Sequence, residues 1–184
     1  MRSLSLLALS GLLLAAVSSC AEEFPVYETH FEADGGGLVT WSLSPEGLIG
    51  DGASRVTVAP ATAPETGNAL KIEAEPVPEA TEITQVKNRF RLDPEVEYEL
   101  RVKARVPQFI SHAGGRFAVF VTDTRWQWQS GVLPVTAPDA EWKTYALRFK
   151  VPSPASDEGY RLRIRFNNVL VQVEISEISV FPIR

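Results

Sequence analysis

Residues 160–166 read Tyr-Arg-Leu-Arg-Ile-Arg-Phe. Apolar and basic side chains alternate without interruption, the period of a strand with one face in a core and one in water. The same pattern recurs on both sides of this stretch. Tyr98, Leu100, Val102, Ala104 and Val106 alternate with Glu99, Arg101, Lys103 and Arg105. Tyr145, Leu147, Phe149 and Val151 alternate with Ala146, Arg148 and Lys150. Val169, Val171, Val173 and Ile175 continue it, and Ile178 and Val180 resume it in the opposite parity. That slip predicts a β-bulge near Ser176-Glu177.

Weaker strands fit Leu38–Ser42, Arg55–Val58, Ala69–Ala74, Ile83–Leu92, Arg116–Thr122 and Trp126–Pro134. Turn residues punctuate them: Gly35-Gly36-Gly37, Asp51-Gly52, Asp93-Pro94, Gly114-Gly115 and Ala137-Pro138-Asp139 among others. No amphipathic helix, linker or internal repeat interrupts this text. Many short strands at such spacing predict an all-β chain folded as one antiparallel β-sandwich or jelly roll. The row Arg161, Arg163 and Arg165 has two readings, a strip for a polyanion or cross-strand pairing with Glu97, Glu99 or Glu174 on a solvated face. The acid excess favours pairing.

Composition narrows the function. The 184 residues contain one Cys, two His, 18 Lys+Arg and 23 Asp+Glu, a net charge of -5. One cysteine excludes a disulfide framework and a cysteine-rich zinc site. The acidity argues against a nucleic-acid partner, which needs a basic face. No G-x-S-x-G, H-E-x-x-H or phosphate-binding loop is present, and neither His30 nor His112 has a neighbour that would orient it for catalysis.

Residues 1–19 read as an export signal: Arg2, an apolar run from Leu4 to Val17, then Ser18 and Ser19. The run ends at the only cysteine. Val17-Ser18-Ser19-Cys20 resembles the bacterial lipobox, whose cysteine is acylated, so Cys20 is the expected lipidation site and the route to a membrane. The other reading is an ordinary signal peptide that leaves Cys20 as a spare thiol. Cleavage before Cys20 leaves 165 residues and a charge of −6, because the leader carries Arg2 and no acid. Residues 20–25 are then a tether and 26–184 the domain. Ala21, in place of Asp, fits the lipoprotein pattern sent to the outer membrane, so the expected location is outer membrane or cell surface.

Several motifs stand in order within the domain. Phe31-Glu32 and Trp41 are followed by Gly67-Asn68-Ala69-Leu70-Lys71-Ile72 and Gln85. Next come Leu92-Asp93-Pro94-Glu95-Val96-Glu97-Tyr98-Glu99-Leu100, Trp142-Lys143-Thr144-Tyr145-Ala146-Leu147-Arg148-Phe149 and the closing Ile175-Ser176-Glu177-Ile178-Ser179-Val180. From about Phe31 to Val180 the chain resembles the carbohydrate-binding modules of the 4/9/16/22-like group, within the galactose-binding-like jelly rolls. The resemblance implies a galactose-binding-like sandwich and a glycan partner. It also implies a structural Ca²⁺ joining the two ends of the chain, with Glu32 and Glu177 as its carboxylates. Two departures stand out: Glu95 replaces the usual Gly, which requires another turn conformation, and Ser176-Glu177 replaces Asp-Asp.

Sugar recognition needs exposed rings for C–H faces and polar groups for hydroxyls. Trp126 and Trp128 share a parity, so in a strand both point from one face. They form a stacking platform or plug the space between sheets. Gln85, Lys87 and Arg89 share a parity too, on a strand that crosses the concave face in the resembled modules, and are the polar candidates. Trp41 and Trp142 read as structural. The leading expectation is a non-catalytic, lipid-anchored envelope protein that binds a glycan. The alternatives are a structural lipoprotein of the same fold that contacts another envelope protein, and a glycan hydrolase with two facing carboxylates.

Overall fold

The computed structural model describes residues 24–31, 41–44, 54–60, 67–76, 81–85, 88–135 and 138–183. The expected leader, Cys20, Glu32 and Lys87 lie outside them. Among the described residues every regular element is a strand: β1 Tyr27–His30, β2 Trp41–Ser44, β3 Ser54–Pro60, β4 Asn68–Ala74, β5 Thr81–Gln85, β6 Glu97–Asp123, β7 Leu133–Val135, β8 Asp139–Phe149 and β9 Tyr160–Ile183. All pairings are antiparallel. The chain is therefore all-β, a curled antiparallel jelly roll.

Two long strands organise the curl. β6 and β9 pair from Glu97↔Ile183 to Asp123↔Tyr160 and divide into two half-sheets. In the first, the start of β9 lies between β5 and the end of β6, flanked by β2 and β7. In the second, the remainder of β9 lies between β4 and the start of β6, with β3 and β8 outside and β1 following β4 along the edge. Inward side chains of both halves join one core, including Ile83, Ile164 and Val119 from the first and Ile72, Val173 and Leu100 from the second.

The bend between the halves is where the pairing slips, between Arg105 and Gln108 and again between Ser111 and Arg116. Ala113 (φ 45°), Gly114 (φ 74°) and Asn168 (φ 47°) take left-handed conformations there. Gly115 is pressed against the facing strand: a Cβ on it would lie 2.0 Å from the Asn168 carbonyl oxygen. The predicted bulge is present. Lys103 faces Glu177 and Ala104 faces Ile175, so Ser176 is the extra residue.

The turn before β6 adopts the other conformation that Glu95 requires. Its φ is not positive. The Asp93 carboxylate accepts the Glu95 N–H at 2.9 Å, and the Asp93 N–H donates to the Tyr98 hydroxyl at 2.8 Å. Two weak strands differ from expectation. The 83–92 segment is β5 plus an isolated bridge from Phe90 to Tyr160. The 126–134 segment is a turn, a bridge at Gln129 and the short β7.

Candidate functional site

The outer face of the first half-sheet is polar and mostly covered. Arg163 of β9 stands between Thr84 of β5 and Phe120 of β6, and Arg165 between Glu82 and Ala118. Arg163 is 5% exposed. Its Nε donates to Thr122 Oγ1 at 2.7 Å, its Nη1 donates to Thr84 Oγ1 at 2.9 Å, and it also bonds the Glu82 carboxylate. Arg165 Nη2 donates to the other Glu82 oxygen at 2.9 Å. One carboxylate thus holds two guanidinium groups. Burial pulls the Arg163 pKa down, and Glu82 opposes that shift.

Cross-strand pairing is therefore the right reading for Arg163 and Arg165, with a different partner and, for Arg163, deeper burial; the Nε of Arg161, third in the row, is buried without a hydrogen-bond partner among the described residues. Glu99 serves Arg101 and Arg148, and Glu174 serves Arg105 and Lys71, all on the second half-sheet. Glu82 escapes the sequence reading because its neighbours on the polar face come from strands eighty residues away.

Trp126 closes over this network. Its ring centroid lies 3.7 Å from the Arg163 guanidinium carbon and 5.0 Å from that of Arg165, with Phe120 beside it at 6.2 Å. The ring stays 43% exposed. The guanidinium holds one side of the indole by cation–π attraction. What remains faces solvent on a fixed support, the arrangement suited to stacking on an apolar ligand face.

Trp128 takes a separate course. Residues 124–127 are turn and bend, not strand, because Asp123 folds the chain back. Its carboxylate accepts the Trp128 N–H at 3.0 Å, its own N–H donates to the Trp128 carbonyl at 3.2 Å, and Trp126 has φ 61°. Alternation does not survive such a turn. Trp128 is half-buried, edge-on to Tyr160 at 5.7 Å and tilted against Phe149 at 6.1 Å. The two tryptophans thus do not form one platform: Trp126 covers the polar face and Trp128 packs on the core rim.

The other expected residues are dispersed. Gln85 ends β5 opposite Trp41, in the register parity of Ile83; Glu82 and Thr84 hold the polar-face positions. Arg89 is exposed, and its Nη1 donates to the Glu158 carbonyl at 3.5 Å. Trp41 is buried against Phe31, and Trp142 is half-buried beneath Arg105, both in keeping with structural roles.

β1 pairs with β9 through His30↔Glu177, so the fold brings the start of the domain to the expected metal position. The Glu177 carboxylate accepts the Ser179 hydroxyl at 3.0 Å, and the Ser176 hydroxyl donates to the Lys103 carbonyl at 3.3 Å. Among the described residues no group of three Asp, Glu, His or Cys side chains gathers to hold a metal ion. Ca²⁺ takes six to eight oxygens. Of the two expected carboxylates only Glu177 is among the described residues.

The sequence matches no protein-family model and no curated protein. Among solved structures, an arabinose-bound MgGH51 α-L-arabinofuranosidase aligns with a TM-score of 0.59 and 14% identity over 84% of this chain and 24% of its own. The CBM22-1–GH10 modules of Clostridium thermocellum xylanase 10B, complexed with xylohexaose, align with a TM-score of 0.57 and 15% identity over 88% of this chain and 29% of theirs. A CBM4 carbohydrate-binding module aligns with a TM-score of 0.52 and 17% identity over 78% of this chain and 86% of its own. The chain spans about a quarter of the two enzymes' lengths and most of the isolated module. The shared feature is the fold: this chain has the jelly roll of the carbohydrate-binding modules.

Proposed function

We propose that this protein is a non-catalytic, lipid-anchored component of the cell envelope that binds a glycan across the outer face of the first half-sheet. The observation that carries the reading is Trp126, a half-exposed indole clamped from below by an arginine that is itself held by Thr122, Thr84 and Glu82. Such a ring stacks on a sugar's C–H face without first having to be ordered. Arg165, about two-fifths exposed beside it, supplies donors for hydroxyls. The likeness to isolated carbohydrate-binding modules supports a binding role over a catalytic one. A neighbour's complex with xylohexaose makes xylan oligosaccharides a natural first probe. The lone Cys20 after an apolar run supports attachment to a membrane, on the outer membrane or the cell surface.

The test is native electrophoresis of the domain from residue 26 in gels containing xylan, arabinan, β-glucan or galactan. The expected result is retardation by at least one of them, abolished by Trp126→Ala with the thermal unfolding midpoint within a few degrees of the parent. Mobility unaffected by every polysaccharide would overturn the reading. The anchor has its own test: incorporation of labelled palmitate into the full chain and not into Cys20→Ala.

A second reading, in which the partner is another envelope protein, is favoured by one feature. An apolar cleft of about 290 Å³ lies beside the bend, lined by Phe109, Phe117, Val132 and Pro134, with Val132 and neighbouring Ile110 more than two-fifths exposed.

A further inference from the structure

At the end of the sandwich near Trp128 there is a second cavity, of about 440 Å³, distinct from the Trp126 face. The turn after β6 forms one wall through Asp123, Arg125 and Trp128. The loop between β8 and β9 forms the other through Pro152, Pro154 and Asp157, and buried Tyr160 also lines it. The walls are tied together. Glu158 accepts Thr124 Oγ1 at 2.8 Å and Arg125 Nε at 2.8 Å, and the Tyr160 hydroxyl accepts the Ser156 N–H at 3.0 Å. The cavity is thus built before any ligand arrives, at a volume usual for small-molecule sites.

Its chemistry centres on Asp123. This residue is only 6% exposed, yet among the described residues it has no cationic partner within bonding distance. Oδ1 accepts the Trp128 N–H. Among the described residues no donor reaches Oδ2. That oxygen opens onto the cavity as an acceptor that the protein leaves to water or to a ligand. Arg125 does not bond it: its guanidinium bonds Glu158 and lies 3.7 Å from Asp157. The cavity therefore presents an acceptor suited to a ligand rich in hydroxyl donors. Trp128 and the prolines offer it apolar surface.

We propose that this cavity receives the end of a neutral saccharide, with Asp123 accepting hydroxyl hydrogens and Trp128 covering an apolar face of the sugar. The inference rests on the reading that the partner is a carbohydrate, but on different residues. A ligand carboxylate would face Asp123 and Asp157 in the lining, which favours a neutral sugar over a uronic acid.

The experiment is a titration of the ¹⁵N-labelled domain with D-xylose, L-arabinose, D-galactose, D-glucose and D-glucuronate to tens of millimolar, followed by amide and indole shifts. The expected result is saturable shifts at Trp128 and Tyr160 with a neutral sugar and none with D-glucuronate. Asp123→Asn should weaken binding at least tenfold while the folded spectrum persists, because the amide still accepts the Trp128 N–H but replaces the free oxygen with a donor. Trp126→Ala should leave these shifts unchanged. No saturable shift at Trp128, equal binding of glucuronate, or unchanged affinity in Asp123→Asn would each overturn the proposal. The glucuronate comparison needs no variant and so holds even if Asp123→Asn fails to fold. A hexamer of the sugar that binds identifies the source: equal shifts at Trp128 mark a chain end, and their absence with the hexamer overturns that assignment in favour of a free monosaccharide. Shifts near Trp126 alone would sink this site and leave the sheet-face reading standing; shifts near Trp128 without retention in polysaccharide gels would do the reverse.

Discussion

On the second half-sheet Glu99 lies between Arg101 and Arg148; on the first, Glu82 lies between Arg163 and Arg165. Both are one carboxylate between two guanidinium groups on the outward face of an alternating strand. Their surroundings differ. The Arg101 and Arg148 side chains are 37% and 66% exposed, whereas that of Arg163 is 6% exposed beneath Trp126. The first trio is a solvated pairing of modest worth, and the second is a buried network on which an aromatic ring rests. The difference arises because the turn after Asp123 lays Trp126 over Arg163, while Arg101, 4.3 Å from the Phe181 ring centroid, stays 37% exposed.

The bend that keeps the two halves distinct offers the largest perturbation. Gly115→Ala places a methyl against the Asn168 carbonyl, and neither backbone can yield easily. Urea unfolding should show a loss of at least about 3 kcal/mol. Next comes Glu82→Ala, which leaves Arg163 buried with only hydroxyl partners. It should cost about 3 kcal/mol, against less than about 1 kcal/mol for Glu99→Gln. Equal losses from the two would erase the distinction drawn here.

The backbone at Trp126 gives a smaller effect. Its φ of 61° is strained for any residue with a Cβ. Trp126→Gly should therefore be more stable than Trp126→Ala by about 1 kcal/mol, with glycan retention lost in both.

The smallest effect is in pH. Hydrogen bonds and charge from Arg101, then Arg148, hold the Glu99 carboxyl below its usual range. A depressed folded-state value means the contribution is complete above the unfolded pKa of about 4.3 and fades as the pH falls through the folded value. Stability measured from pH 6 down to pH 3 should decline less steeply in Glu99→Gln than in the parent, and the two curves should converge at the acid end.

Period two was enough to find β6, β8 and β9, because each has one face in the core and one outside over many residues. The parity slip at Ser176 located a bulge for the same reason. Trp126 and Trp128 show where this logic ends. Alternation assigns both to one face only while the backbone is extended, and Asp123 ends that by bonding the Trp128 N–H. An Asp two residues before an Arg-Trp-Gln-Trp segment is a local cue to such a turn, and it was present in the sequence. The Glu82–Arg163–Arg165 trio had no local cue at all. It depends on which strand lies next to which, and β5 and β9 are joined only by the fold.

The central position of β9 has a consequence for how the molecule acquires its shape. β1, β4, β5 and β6 all pair with it, and they begin at residues 27, 68, 81 and 97, against 160 for β9. Until residues 160–183 exist, those strands present unpaired edges, and only local pairings such as β3 with β4 or β6 with β8 are available. Sequence separations of this size make closure slow and late. A growing chain therefore stays open, and exposed to unwanted partners, until β9 has been made.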